Sequence, residues 1–442
     1  MKQFKFQRLF LLMIMAGMAG VGENARAAAF QLWEQDGASI GNYHAGRAAI
    51  AEDASTAYYN PAGLVRIHNQ QIVVAADPIL TDFKFKGTVH DFISGSAQNS
   101  TNSAIAQGGN FNVVPALHYA VPLNDTSVFG LSIVSPFGLK TDYGTDTVTR
   151  YVATLTSLQV IDFTPSFGFS VNNHLSLGAG IDAERARGEF DLVGGGPNLV
   201  GMDTYATNIG RSTAYGYHAG LLYQFDEDTR MGLSYHSKIT HHLKGTSKFS
   251  GPLANDGEEP YYEESDELRA NTTFPATTTL SLFKTINPTW DVMGSVIYTQ
   301  WSVLRELVLQ NVAAVTSAGD SGIIAVNIPE HYRNTWNFSM GANYHINPQW
   351  MLRAGAGYDQ SPSKDAYRNL QLPDSDRVAL ALGGHYQATK SLGLDIGWTH
   401  IFAMNTRISN LDQIVGAQET TTNGTIRGSA DVFGFQATWD IA

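Results

Sequence analysis

Apolar and polar residues alternate along this chain in short runs, and tight polar turns join the runs in pairs. Leu175, Leu177, Ala179, Ile181 and Ala183 are interleaved with Ser176, Gly178, Gly180, Asp182 and Glu184. Tyr215, Tyr217, Ala219, Leu221, Tyr223 and Phe225 form a second series, and Leu392, Leu394, Ile396 and Trp398 a third. A β-strand turns successive side chains to opposite faces, so each run is a strand with one apolar and one mostly polar face. The expected fold class is all-β. If lipid lies on the apolar side and a lumen on the other, the strands form a closed barrel. Closure satisfies every backbone N–H and C=O within the protein and leaves no strand edge in the bilayer.

The leader fits export. Lys2, Lys5 and Arg8 precede an apolar stretch from Leu9 to about Ala19, and Ala25-Arg26-Ala27 is a small-x-small cleavage site. Residues 1–27 are read as a signal peptide, with the mature chain starting near Ala28. No later apolar run is long enough for a transmembrane helix. The chain has no cysteine, which excludes disulfides, thiolate catalysis and cysteine-ligated zinc. Charged residues are 15% of the chain, against roughly 25% in soluble domains. Net charge is −12, and removing the basic leader makes the mature chain more acidic still, which argues against nucleic acid as a partner.

Six turns stand out: Asn124-Asp125, Asn172-Asn173, Asp226-Glu227-Asp228, Asn287-Pro288, Asn347-Pro348 and Thr389-Lys390-Ser391. Such residues close turns through side-chain-to-backbone bonds and preset φ. Longer polar stretches, including 88–108, 191–210, 249–270 and 311–326, alternate with these turns. Short turns on one side and long loops on the other are the arrangement of outer-membrane barrels. Twelve strands flank the turns. A first strand near Gln71–Lys86 and a last near Thr425–Ile441 complete a fourteen-stranded antiparallel barrel over residues 70–442. Fourteen strands enclose a lumen too wide for wall side chains alone to fill. Residues 28–69, rich in Ala and Gly, precede the barrel. Composition leaves them open as either a plug inside the lumen or a flexible periplasmic tail.

Ala29-Phe30-Gln31-Leu32-Trp33-Glu34, the run Gly46-Arg47-Ala48-Ala49-Ile50-Ala51-Glu52-Asp53-Ala54, and Asn60-Pro61-Ala62 resemble the N-terminal region of the FadL (long-chain fatty acid outer-membrane transporter) family. Tyr332-Arg333, Asp359-Gln360-Ser361-Pro362 and Leu372-Pro373-Asp374-Ser375-Asp376-Arg377 match in order and spacing. The aromatic-rich final run, Phe433 to Ile441, resembles the terminal strand of outer-membrane barrels, although it ends Ile441-Ala442 rather than in Phe.

The resemblance implies a barrel closed by an N-terminal hatch in the outer membrane of a Gram-negative bacterium. It implies passive uptake of a hydrophobic ligand, a long-chain fatty acid or else a hydrocarbon, by a monomer that uses no cofactor. In the family, ligand reaches an internal apolar pocket and leaves sideways through a gap at a kinked third strand. A fatty chain loses about 0.8 kcal/mol per CH₂ on entering water, so lateral exit into lipid is physically sensible. Here the third strand, Val128 to about Tyr143, contains Ser135-Pro136-Phe137-Gly138. Pro136 donates no ladder bond and Gly138 favours a bend, so the kink is expected there, with a plain strand end as the other reading.

Phe30 matches a position whose ring can occupy the internal pocket; a Phe packed elsewhere on the wall is the competing reading. Asn60, Pro61 and Ala62 would hold the hatch turn. Arg185 and Arg187 on the fifth strand, with Arg333 and Arg377, are candidate partners for a ligand carboxylate, or else structural charges of the lumen. Other motifs carry less. Gly319-Asp320-Ser321-Gly322 lacks the rest of a serine-nucleophile signature, His241-His242 lacks metal-ligand spacing, and Gly194-Gly195-Gly196 has no following Lys-Ser/Thr. No catalytic and no metal residues are expected. The rival functions are an aromatic or alkane channel, a surface adhesin barrel, and a barrel enzyme such as a phospholipase acting through Ser321.

Overall fold

The computed structural model of the chain describes residues 29–93, 100–195, 201–254, 261–316 and 320–441. The leader, residues 1–27, and the expected start near Ala28 lie outside the described residues. Twenty extended segments join end to end into fourteen antiparallel strands. They are β1 (Gln70–Ile93), β2 (Ser100–Gln107 and Phe111–Asn124), β3 (Ser127–Val134 and Gly138–Asp142), β4 (Leu155–Ser170), β5 (Leu175–Gly194), β6 (Thr204–Asp226) and β7 (Thr229–His236 and Ile239–Ser250). The second half comprises β8 (Tyr262–Phe274 and Thr277–Asn287), β9 (Trp290–Thr299 and Glu306–Val315), β10 (Ser321–Pro329 and Thr335–Asn347), β11 (Trp350–Asp359), β12 (Arg377–Gln387), β13 (Leu392–Val415) and β14 (Gln418–Ile441). β14 pairs with β1 from Gln70↔Ile441 to Ile93↔Gln418, which closes the ring.

All six turns form where the polar clusters stand, and their side chains do the expected work. Asn172 Oδ1 accepts from the backbone N–H of His174 and Leu175. Asn287 and Asn347 accept in the same way from Thr289 and Trp290, and from Gln349 and Trp350. Asn124, Asp226 and Thr389 each accept one such bond. At the other end the stretches expected as long loops are largely strand: Thr88 to Ile93, Asp191 to Gly194, Thr204 to Gly210 and Tyr262 to Ala270 all lie in ladders. The strands run on past the membrane because ladder pairing continues to satisfy the backbone in water, and polar side chains do not interrupt it.

The apolar faces point outward. Tyr215 is 73% exposed, Ile181 59% and Trp439 57%, whereas the alternate residues Asp182, His218 and Gln436 are buried on the lumen side. That inward half explains a mean hydropathy of −0.14 in a chain without a membrane-spanning helix among its described residues.

Residues 29–69 pack against the inner faces of the strands. Short helices at Gly37–Ile40, Arg47–Ile50 and Thr56–Tyr59 and a 3-10 turn at Pro61–Arg66 follow one another. They touch β1–β8 and β12–β14. The approach is close. A Cβ at Gly232 of β7 would sit 1.7 Å from the Ala48 carbonyl oxygen, and one at Gly220 of β6 would sit 1.9 Å from Asn60 Oδ1.

Candidate functional site in the barrel lumen

Side chains of the N-terminal segment fold it on itself before they tie it to the wall. Asp36 caps the first helix, accepting from Ser39 N–H at 2.6 Å, and its second oxygen pairs with Arg47. Burial pushes the Asp36 carboxyl up, but the Arg47 guanidinium outweighs it and holds the group at about 2. Arg47 also reaches Glu52, which Arg353 of β11 grips at 3.1 Å while bonding Asp395 of β13 at 3.0 Å. His44, wholly buried, is driven down to about 3 by desolvation.

The segment has further anchors on other strands. Arg230 donates to the carbonyls of Ala49 and Ile50, both at 2.7 Å, and Thr399 donates to that of Ile40 at 2.6 Å. Asn60 is fully buried. Its Nδ2 donates to the Ala48 carbonyl (2.6 Å) and the Leu221 carbonyl of β6 (3.1 Å), while its Oδ1 accepts from Ala62 N–H (3.1 Å). Pro61 opens the 3-10 turn, where its missing N–H costs nothing, and Ala62 packs fully buried behind it.

β3 is broken at Ser135–Phe137. On one side of the break Val134 pairs with Asp162, and on the other Gly138 pairs with Gln159, so three residues of β3 stand against Val160 and Ile161 of β4. On its other edge β3 pairs with β2 only from Asn124↔Ser127 to Leu117↔Ile133. Phe111–Ala116 of β2 has no partner on β3 among the described residues, and the two chains next meet where Asp142 N–H donates to the Gly108 carbonyl at 3.2 Å. The ladder therefore opens between β2 and β3. Pro136 stands on one bank and Pro115 on the other, each without a backbone donor.

The N-terminal segment borders this opening. Leu32 N–H donates to the Pro136 carbonyl, Gly138 N–H donates to the Phe30 carbonyl, both at 2.9 Å, and Gln31 makes an antiparallel bridge to Phe137. Gln31 is fixed by Thr277 and Thr299 at 3.0 and 3.2 Å. These bonds place the Phe30 ring among Phe137, Phe274 and Trp301, at centroid distances of 5.9, 5.7 and 4.8 Å in edge-to-face geometry. A cavity of about 340 Å³ beside it is lined both by lumen residues such as Phe30 and Leu372 and by the outward-facing Val113 and Ile161. Lys140 and Arg377 also line it.

Above Phe30 a second space, lined by Leu158, Phe190, Leu243, Leu268, Leu304 and Leu309 among others, shares Phe190, Leu309 and Gln371 with a cavity of about 420 Å³ nearer the loop end. Among the described residues, neither lining contains Lys or Arg. The Glu330 carboxyl enters the lower space, where burial raises it to about 7; Asn369 donates to it at 3.0 Å.

The basic candidates fall in different places. Arg185 and Arg187 share the outward face of β5 with Ile181, while Asp182, Glu184 and Ala186 take the inward one. Strand alternation thus turns both arginines away from the internal cavities, which corrects the expectation that they meet a ligand there. Arg333 lies between the two parts of β10 and donates to the Ser361 carbonyl at 3.0 Å. Arg377, at the start of β12, faces Asp374 at 3.5 Å and lines the opening.

Sequence reasoning missed the lumen polar cluster. His218 bonds Asp182 at 2.6 Å and stacks on His236 at 5.1 Å, and His236 reaches the Tyr58 carbonyl at 3.1 Å. Asp182, His218 and His236 bring ligand-type atoms within 4.8 Å of one another, so they could hold a metal ion. His241 turns inward to Glu184 at 2.9 Å, whereas His242 turns outward to Asn271. Inward parity on three neighbouring strands was the available signal. Ser321 begins the upper part of β10, in the ladder opposite Val315.

Comparisons with known proteins agree with this geometry. Residues 18–441 match the profile of a family described as outer membrane protein transport protein (OMPP1/FadL/TodX). The chain is 28% identical over 420 residues to a long-chain fatty acid transport protein of Escherichia coli O6:H1, covering 89% of this chain and 91% of that one. The crystal structure of a Pseudomonas aeruginosa FadL homologue superimposes with a TM-score of 0.80 at 26% identity, covering 94% of this chain and all of the other. The Pseudomonas putida toluene transporter TodX shares the fold, with a TM-score of 0.68 at 18% identity over 92% and 99% of the two chains.

Proposed function

The chain belongs to the OMPP1/FadL/TodX family, outer-membrane transporters of hydrophobic compounds, and from that premise we propose that it takes up long-chain fatty acids passively and releases them sideways between β2 and β3. Residues 29–69 act as the hatch. Phe30 occupies the ligand's inner position until ligand displaces it, and Asn60 with Pro61 and Ala62 holds the hatch turn during that exchange. Pro136 and Gly138 keep the wall from zipping shut.

The observation that carries this reading is the unpaired stretch Phe111–Ala116 facing a broken β3, with the Phe30 segment bonded across the break. An acyl chain leaving there passes from apolar cavity to lipid without exposing methylenes to water. Lys140 and Arg377 line the opening beside Glu34 and Asp374, with Arg377 paired to Asp374, so charge is balanced there and the apolar lining carries the reading. The fatty-acid transporter of E. coli, at 28% identity, supports the choice of ligand.

The linings of the two upper spaces, which hold no Lys or Arg among the described residues, favour a second reading in which the ligand is a neutral hydrocarbon. Cells lacking their own fatty-acid transporter and expressing this chain decide between them. Saturable uptake of labelled oleate that excess toluene leaves unchanged supports the first reading. Toluene uptake without oleate uptake replaces it with the second, and neither uptake returns attention to the adhesin rival.

A further inference from the structure

Four cations stand in line on the outer face of the barrel. In the ladders Arg187 of β5 lies opposite Arg211 of β6, Arg211 opposite Lys244 of β7, and Lys244 opposite Arg269 of β8. Arg211, Lys244 and Arg269 are exposed, and Arg185 adds a fifth positive charge two residues from Arg187. Each shares its strand's outward parity: Arg211 with Tyr215 and Tyr217, Lys244 with Thr240 and His242, Arg269 with Asn271. Directly opposed residues in a sheet lie about 5 Å apart, and like charges there are destabilising. Arg187 is relieved by Glu189 at 2.7 Å. Arg211, Lys244 and Arg269 make no ion pair among the described residues, although Glu267 is exposed two residues beyond Arg269. Among the described residues, ion pairing thus leaves three of the four cations of the row unrelieved.

The row has a definite height on the barrel. Arg187 is twelve residues along β5 from Leu175 at the periplasmic turn. At ~3.3 Å per residue and a tilt near 45° that is about 28 Å, just beyond a ~25 Å apolar band. The exposed Tyr215 and Tyr217 lie one step below, at the level where aromatic side chains mark the membrane interface. The row therefore sits at headgroup level in the outer leaflet, turned toward lipid and not toward solvent above the barrel.

We propose that Arg187, Arg211, Lys244 and Arg269 form a binding site for the phosphate groups of an anionic lipid of the outer leaflet, its acyl chains lying along Tyr215, Tyr217 and Ile181. Guanidinium groups bind phosphate through paired, charge-assisted hydrogen bonds, and two or more phosphates would bridge cations that otherwise repel. The site is separate from the transport route, because strand alternation places it on the opposite face of the wall.

Native mass spectrometry of the full-length protein in detergent tests this with bisphosphorylated lipid A, the same lipid dephosphorylated, and inorganic phosphate. The wild-type protein is expected to retain the phosphorylated lipid at least tenfold more tightly than the dephosphorylated one. The triple variant Arg211→Ser, Lys244→Ser, Arg269→Ser is expected to lose that preference. Neutralising Lys84, Lys86 and Arg427, outward cations on β1 and β14, is expected to leave it intact. Equal retention of both lipids by the wild-type protein overturns the proposal and needs no variant. Equal losses in the two variants would mean diffuse charge attraction, and displacement of the lipid by millimolar inorganic phosphate would mean a free-anion site. Either result also overturns it.

Discussion

Asn60 shows how much of the interior rests on single polar side chains. Its amide satisfies two carbonyls on different parts of the chain and one N–H of its own turn. Asn60→Ala leaves those buried carbonyls without the donor, at a cost of about 2–3 kcal/mol. The expected readout is a lower thermal midpoint for release of the N-terminal segment, followed by limited proteolysis, with the barrel's own unfolding little changed. Glu330 is a second such residue. Burial raises its carboxyl to about 7, so it is neutral below that pH and charged above it. The stability it contributes is full below the ordinary carboxylate range and is lost as pH rises through about 7. Once ionised it also repels a bound carboxylate. Oleate affinity measured by fluorescence is expected to fall between pH 6 and 8, and Glu330→Gln is expected to flatten that dependence.

At the scale of elements the third strand decides the character of the wall. β3 continues past its break because β4 pairs with both halves, yet β2 follows only the lower one. Gly138 sits at the upper lip, where an added Cβ would lie 2.8 Å from Leu32 Cδ1. A large side chain there occupies the opening without touching the upper cavities. Gly138→Phe is expected to abolish oleate uptake in cells while oleate still co-purifies with the barrel. Retained uptake would instead mean that ligand leaves along the axis. Pro136 was legible in the sequence as a break in a strand. Its partner Pro115 has no such mark in the sequence, since Pro165 stands in a strand as well; what distinguishes Pro115 is a missing neighbour, a property of pairing that no single strand displays.

For the molecule as a whole, a ring of fourteen strands holds its shape through its own ladders and needs filling only to stop leakage. The short helices of the N-terminal segment meet most of the wall, and as the proposed hatch they would supply that filling. Deleting residues 29–69 behind the leader is expected to leave an inserted barrel whose single-channel conductance in planar bilayers rises from near closed to that of an open pore. An unchanged conductance would show that wall side chains seal the lumen by themselves.

Alternation, polar turns and an even strand count were enough to give the barrel from sequence, because a strand's two faces follow from a period of two and lipid admits few alternatives. The aromatic Phe30 and the buried turn of Asn60 were legible through motif resemblance. The facing of Arg185 and Arg187 was written in the alternation too, since they share parity with Ile181, but the fold had to place that parity outward. Three things required tertiary structure: which edges of β2 and β3 fail to pair, that Asp182, His218 and His236 converge, and that Arg187, Arg211, Lys244 and Arg269 fall into one row. Each depends on register between strands, and register is fixed by closure of the whole ring, not by any stretch of sequence read alone.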